Sequence, residues 1–182
     1  MNKQLMVLVS IVIMLSGCAT SARIDQEPTA APGKAIYPLI RNVQVDEVTG
    51  GGRAGLMQIA IIDRNDYEQA LKDSLAASNL LSNDSSGKYI LRAAILEVGQ
   101  PPSGVDITVT SVVQYTLVQA SNGRELLSER ITAPFSSTLS DTHPVVERVK
   151  SAVKGSAASN IAQLTRKLNE LPVNQDELAL PK

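Results

Sequence analysis

The chain has 182 residues, 43% hydrophobic and only 3% aromatic, with 17 basic and 18 acidic side chains and a formal net charge of −1. That length suits one domain with a sizeable core, and the near-neutral balance leaves no electrostatic footprint for nucleic acid. There is no tryptophan, and the five aromatics (Tyr37, Tyr67, Tyr89, Tyr115 and Phe135) cannot furnish the aromatic girdles of a transmembrane barrel.

The N-terminus carries one early base, Lys3, and then the apolar run Leu5–Leu15, interrupted only by Ser10. Ser16 and Gly17 follow, and then Cys18, the only cysteine. A charged start, an apolar core and small residues form the layout of a secretory signal peptide. A membrane-spanning helix needs roughly 20 apolar residues, so this run is too short to be one. Leu15-Ser16-Gly17-Cys18 resembles the lipobox of bacterial lipoproteins. The resemblance implies signal peptidase II cleavage between Gly17 and Cys18, a diacylglycerol on the Cys18 sulfur, and acylation of the new amino group. Cleavage removes Lys3 and no acid, which leaves 16 bases and 18 acids. The residue after Cys18 is Ala19 and not Asp. By the sorting pattern of such lipoproteins this implies the periplasmic face of the outer membrane, with the lipid as the membrane contact.

Residues 1–17 are thus read as a signal peptide and 18–35 as the lipidated N-terminus and a flexible tether rich in Ala, Thr and Pro. Seventeen tether residues span roughly 23 Å as a coil, or about 50 Å if extended like polyproline. Residues 36–171 are read as one α+β domain, and 172–182 as a loose tail. A first strand is expected within Pro38–Val48, where Val43 and Val45 alternate. Thr49–Gly55 and the apolar Met57–Ile62 are read as a hairpin arm or an irregular loop.

A helix follows, with Asn65 as its expected cap and Glu68 completing a capping-box-like pair. Tyr67, Ala70, Leu71, Ser74, Leu75 and Ser78 recur at helical spacing. Three strands come next. Tyr89–Val98 is apolar on both faces, as in an interior strand. Val105–Val118 alternates cleanly, with Val105, Ile107, Val109, Val113, Tyr115 and Leu117 on one face and Ser111 interrupting it. Ser121-Asn122-Gly123 makes a hairpin, expected as a three-residue loop with Gly123 left-handed. That choice opposes Leu117 to Leu127 and Val113 to Ile131, because a one-residue slip would turn the apolar set outward. Pro134 is expected to end the fourth strand.

A long helix from about Pro144 to Glu170 carries the stripe Val146, Val149, Val153, Ala157, Ile161, Leu164 and Leu168. Gly155 lies among small residues, which suggests close approach of this helix to the sheet. The resulting order is β-α-β-β-β-α, a mostly antiparallel sheet with two helices on one face.

Sites of chemistry are sparse. Gly50-Gly51-Gly52-Arg53-Ala54-Gly55 matches G-x-G-x-x-G as a string, but no helix opens at those glycines, so a connector is the reading. His143 is the only histidine, with Asp141 two residues before it and no G-x-S-x-G elbow. No catalytic residue, metal site or cofactor is assigned. Arg148, Lys150, Lys154, Arg166 and Lys167 lie off the apolar stripe, as a solvated face or one for anionic lipid.

With its lipobox the chain resembles the small outer-membrane lipoproteins of Gram-negative bacteria, and its element order is similar to that of LPS-assembly and transporter-auxiliary lipoproteins. The resemblance implies a lipid-anchored, non-catalytic binding or assembly module for an envelope protein or lipid partner, without nucleic acid. Two alternatives stand beside it: an envelope hydrolase or transferase using His143, and a lipoprotein that binds peptidoglycan or lipopolysaccharide through the basic helix face.

Overall fold

The computed structural model describes residues 37–51, 62–84, 86–99, 106–138 and 144–171. After a 3-10 turn at Tyr37–Leu39 come β1 (Val43–Gly50), α1 (Arg64–Ala77), β2 (Tyr89–Gly99), β3 (Ile107–Gln119), β4 (Glu125–Ser137) and α2 (Val145–Glu170). This is the expected β-α-β-β-β-α order. The strands lie side by side as β1-β2-β3-β4. β1 runs parallel to β2 across the α1 crossover, and the other two pairs are antiparallel. Tyr67 of α1 and Asn160 of α2 both bond to Tyr115 of β3, so both helices lie on one face of the sheet.

β1 starts at Val43, within the span expected for the first strand. Pro38 and Leu39 belong to the 3-10 turn, and Arg41 takes a positive φ of 52°, outside the extended region that a strand residue with a side chain adopts. At its other end β1 includes Gly50 (φ +74°), whose added Cβ would lie 2.0 Å from the Ile95 carbonyl oxygen. Thr49 and Gly50 are therefore paired strand residues, with Gly51 donating to the Ile95 carbonyl, and are not part of a connector. Gly52–Ile61 lie outside the described residues.

The α1 cap is Asp63 and not Asn65. Asp63 is extended (φ −71°, ψ 137°), and its carboxylate accepts the N–H groups of Asn65 (2.8 Å) and Asp66 (3.2 Å). Glu68 pairs one turn on with Lys72 instead. The expected inward residues Tyr67, Ala70, Leu71, Ser74 and Leu75 are all buried. At its C-terminus Asn79 adopts φ 58°. Leu80 N–H then reaches the Leu75 carbonyl and Asn79 N–H the Ala76 carbonyl, a Schellman motif closed by buried Leu75 and Leu80.

β2 is the interior strand that its two apolar faces predict. A bulge between Ile95 and Glu97 leaves Leu96 half exposed. In the next hairpin, Leu117 opposes Leu127 and Val113 opposes Ile131, as expected. The route to that register differs. Gln119 accepts from Gly123 N–H and donates to the Arg124 carbonyl, so the loop is Ala120–Gly123, one residue longer than expected. The register shift between Leu117 and Val118 restores the inward set. Gly123 is left-handed at φ +71°. β4 continues through Pro134 to Ser137. It is an edge strand, where a missing N–H is tolerated.

Pro144 precedes α2 as its cap position. Val149, Val153, Ala157, Ile161, Leu164 and Leu168 are buried, whereas Val146 at the first turn is exposed. Gly155 stands against the ring of Phe135, and an added Cβ would meet it at 2.4 Å. The close approach suggested by the small residues is therefore real, and its contact is an edge-strand aromatic.

Candidate functional site

Five of the fully buried polar side chains share one network between the helices and the sheet: Tyr67, Ser111, Tyr115, Ser156 and Asn160. Their bonds form one directed chain. The Asn160 amide nitrogen donates to the carbonyls of Ile131 (3.0 Å) and Ser111 (3.3 Å), which can only accept. This orients Asn160 Oδ1 toward Tyr115, whose hydroxyl donates to it at 2.9 Å. The single Tyr115 proton is thereby used, so the Tyr67 hydroxyl donates to the Tyr115 oxygen. One turn earlier on α2, Ser156 Oγ accepts from Ser111 N–H (2.8 Å) and donates to the Ala133 carbonyl (2.7 Å). Ser111 Oγ in turn donates to the Ser156 carbonyl at 3.2 Å.

The Ser156 hydroxyl thus stands between paired residues of β3 and β4, and the network ties α1, α2 and both strands together. Burial raises both tyrosine pKa values, and for Tyr115 the charge and hydrogen bond of Tyr67 add to the rise. Two neutral phenols without solvent access make poor bases. The network is a structural clamp between the helices and the sheet.

A second constellation lies where the chain enters the fold. Pro38 and Leu39 are buried, and Asn42 Nδ2 donates to the carbonyls of Pro38 (3.2 Å) and Ile40 (3.0 Å). Arg41 and Asn79, the two non-glycine residues with positive φ among those described, hold each other. Arg41 N–H donates to the Asn79 carbonyl, and Arg41 Nε donates to Asn79 Oδ1, both at 3.0 Å.

Across the sheet from this clasp, Tyr89 N–H reaches the Asn42 carbonyl (3.0 Å) and Ala120 N–H the Lys88 carbonyl (2.8 Å). Arg41, Lys88 and Arg124 are exposed on this end. The Tyr89 side chain is buried beneath it, and its hydroxyl has no partner among the described residues. Burial raises the Tyr89 pKa, while the Arg124 charge opposes that rise.

Gly17, Cys18, Asp141 and His143 lie outside the described residues, so the lipid-attachment and histidine expectations rest on sequence alone. The basic helix face is corrected. Arg148, in the first turns of α2, is buried. Lys150 pairs with Glu147 at 3.0 Å and Lys167 with Glu129 of β4 at 3.1 Å. Among the described residues no group of three or more His, Cys, Asp or Glu is placed to hold a metal, and no helix is long and apolar enough to cross a membrane.

Reading the sequence missed the clamp. Its signal was Ser111, a polar residue on the core face of a strand, together with Ser156 and Asn160 one turn apart beside the apolar stripe.

No protein-family model matches the chain, and no curated protein sequence does. Among solved structures it is similar to a Xanthomonas campestris protein of family DUF330, with a TM-score of 0.50 at 15% identity over 64% of this chain. The chain spans 66% of that protein's length, and the likeness is one of fold. It is also similar to a minor lipoprotein from Acinetobacter baumannii (TM-score 0.47, 20% identity, 73% of this chain and 94% of the other). A candidate lipoprotein from Caulobacter crescentus gives a TM-score of 0.49 at 14% identity, over 72% of this chain and 91% of the other.

Proposed function

We propose that this chain is a lipid-anchored envelope lipoprotein, acylated on Cys18 and held at the periplasmic face of the outer membrane. Its α+β domain serves as a non-catalytic binding or assembly module for another envelope component. The observation that carries this reading is the order of Leu15-Ser16-Gly17-Cys18, then a tether, then a fold that starts at Tyr37. The buried polar clamp supports the second half of the reading, because its hydroxyls and amide are consumed in holding the helices to the sheet.

Two measurements test it. The intact mass of the mature protein should show a diacylglycerol and an N-acyl chain on Cys18, and Cys18→Ser should release the protein from the membrane fraction. Crosslinking in intact cells should capture a discrete envelope partner. An unmodified thiol sinks the anchor, and the absence of any specific crosslink sinks the module.

A further inference from the structure

We infer that Asn122, at the tip of the β3–β4 hairpin, is a site of spontaneous covalent modification: the Gly123 backbone nitrogen closes on the Asn122 carboxamide, and the asparagine becomes aspartate and isoaspartate. This chemistry does not depend on the lipoprotein reading above. Asn122-Gly123 is the only Asn-Gly pair in the chain, and no asparagine precedes a serine. Glycine matters here because it leaves the attacking nitrogen without a neighbouring side chain. Ser121, Asn122, Gly123 and Arg124 are all exposed, and nothing lies within 4 Å of a Cβ added at Gly123.

The loop already holds the carboxamide in place. Asn122 Oδ1 accepts the Arg124 N–H at 2.9 Å, which folds the side chain back along the chain past Gly123. The same N–H faces the oxygen on which negative charge develops as the ring closes, so it stabilises the reacting group as well as the loop. Against this, the Gly123 N–H donates to the Gln119 carbonyl at 2.8 Å, and that bond must open before the nitrogen can attack. It lies at the exposed end of a hairpin, where opening costs far less than global unfolding. Asn42 and Asn160 are held differently. Their side-chain nitrogens donate to backbone carbonyls. They precede Val43 and Ile161, whose branched side chains crowd the attacking nitrogen.

The Gly123 nitrogen gives its proton to solvent hydroxide and bonds to Asn122 Cγ. The Cγ–Nδ2 bond breaks, and the nitrogen leaves with a solvent proton as ammonia, so that a succinimide ring remains. Water then opens the ring. Attack at Cγ restores the ordinary backbone and gives aspartate, whereas attack at the main-chain carbonyl gives isoaspartate. The sum is one carboxamide and one water giving a carboxylate and an ammonium ion, with no oxidant, metal or enzyme required. Either product adds a negative charge next to Arg124 and Glu125. The isoaspartate also inserts a methylene into the main chain of the Ala120–Gly123 loop. Loosening is confined to the Gln119–Arg124 end of the ladder, because the buried Leu117–Leu127 pair holds the register.

The test incubates the full-length protein at mildly alkaline pH in heavy-oxygen water and reads every asparagine by peptide mass spectrometry. Position 122 should convert at least about tenfold faster than any other asparagine, a barrier difference of about 1.4 kcal/mol. It should take up heavy oxygen and yield isoaspartate together with aspartate, since only the succinimide gives both. Gly123→Asn keeps a residue that tolerates the left-handed backbone but shields the nitrogen with a side chain, and should slow conversion about tenfold. Asn160→Leu weakens the global fold without touching the loop, and should leave the rate at 122 unchanged. Conversion at 122 no faster than elsewhere overturns the site. So does aspartate without isoaspartate, undiminished conversion in Gly123→Asn, or a rate that climbs with global unfolding in Asn160→Leu.

Discussion

The Asn160 amide bridges α2 to three strand groups at once: its Oδ1 accepts the Tyr115 hydroxyl at 2.9 Å, while its nitrogen donates to the carbonyls of Ser111 and Ile131. An apolar replacement removes all of these bonds from a fully buried site. Asn160→Leu is expected to lower unfolding free energy by about 1–3 kcal/mol or more, measured by urea denaturation. A stability within 0.5 kcal/mol of the parent, at about the scatter expected of neutral surface changes, would show that the clamp is incidental.

The direction of the chain from Tyr67 through Tyr115 to Asn160 predicts unequal effects of two phenylalanine substitutions. Tyr67→Phe removes only a bond that Tyr115 accepts, and should cost about 0.5–1.5 kcal/mol. Tyr115→Phe strands both the Tyr67 proton and Asn160 Oδ1, and should cost clearly more. Equal losses in parallel denaturation curves would contradict the assigned direction.

The same tyrosines predict an alkaline weakness. Their folded pKa values are raised, mainly by burial. Stability is therefore complete below the unfolded value near pH 10 and falls as pH rises above it, because only the unfolded chain then releases the protons. The slope is about 1.4 kcal/mol per pH unit for each tyrosine. Unfolding measured between about pH 9 and 11.5 should steepen above pH 10, and Tyr67→Phe should flatten that slope by one such increment. An unchanged slope would mean that Tyr67 ionises freely in the folded protein.

Gly155 and Phe135 should be energetically coupled, because a Cβ at 155 meets the ring. Gly155→Val is expected to cost about 1–3 kcal/mol by overpacking, and the cost should shrink by at least about 1 kcal/mol in a Phe135→Ala background. A double-mutant cycle measures this, and strict additivity would rule the contact out.

Two left-handed glycines should respond differently to alanine. Gly123 has φ +71° with nothing within 4 Å of an added Cβ, so Gly123→Ala meets only the backbone penalty of about 1–2 kcal/mol. Gly50 has φ +74° and the Ile95 carbonyl 2.0 Å from the same position. Gly50→Ala should be markedly worse, as thermal denaturation of the two variants would show.

How far the fold was legible varied by element. The alternation of β3 identified its inward face down to Val113, Tyr115 and Leu117, and that face selected the correct partners in β4. The loop length was missed, since a shorter loop without a bulge and a longer loop with one give the same pairing. The Asp63 cap was missed because Asn65 and Glu68 match a capping pattern equally well on paper. Only the extended backbone at Asp63 shows where the helix starts.

The sequence by itself determined the element order, the two apolar helix stripes and, through Leu15-Ser16-Gly17-Cys18, the expectation of an anchor. These are properties of neighbours along the chain, where periodicity and small-residue spacing act directly. The tertiary structure alone decided that Ser111, Asn160, Tyr115 and Tyr67 meet, that Arg148 turns inward, and that Arg41, Lys88 and Arg124 share the end where the tether arrives. Those relationships join residues that lie 36 to 83 positions apart, which only strand order and helix placement bring together. Hydrogen-bond partners and charged neighbours are set by proximity in space, and no local pattern encodes it.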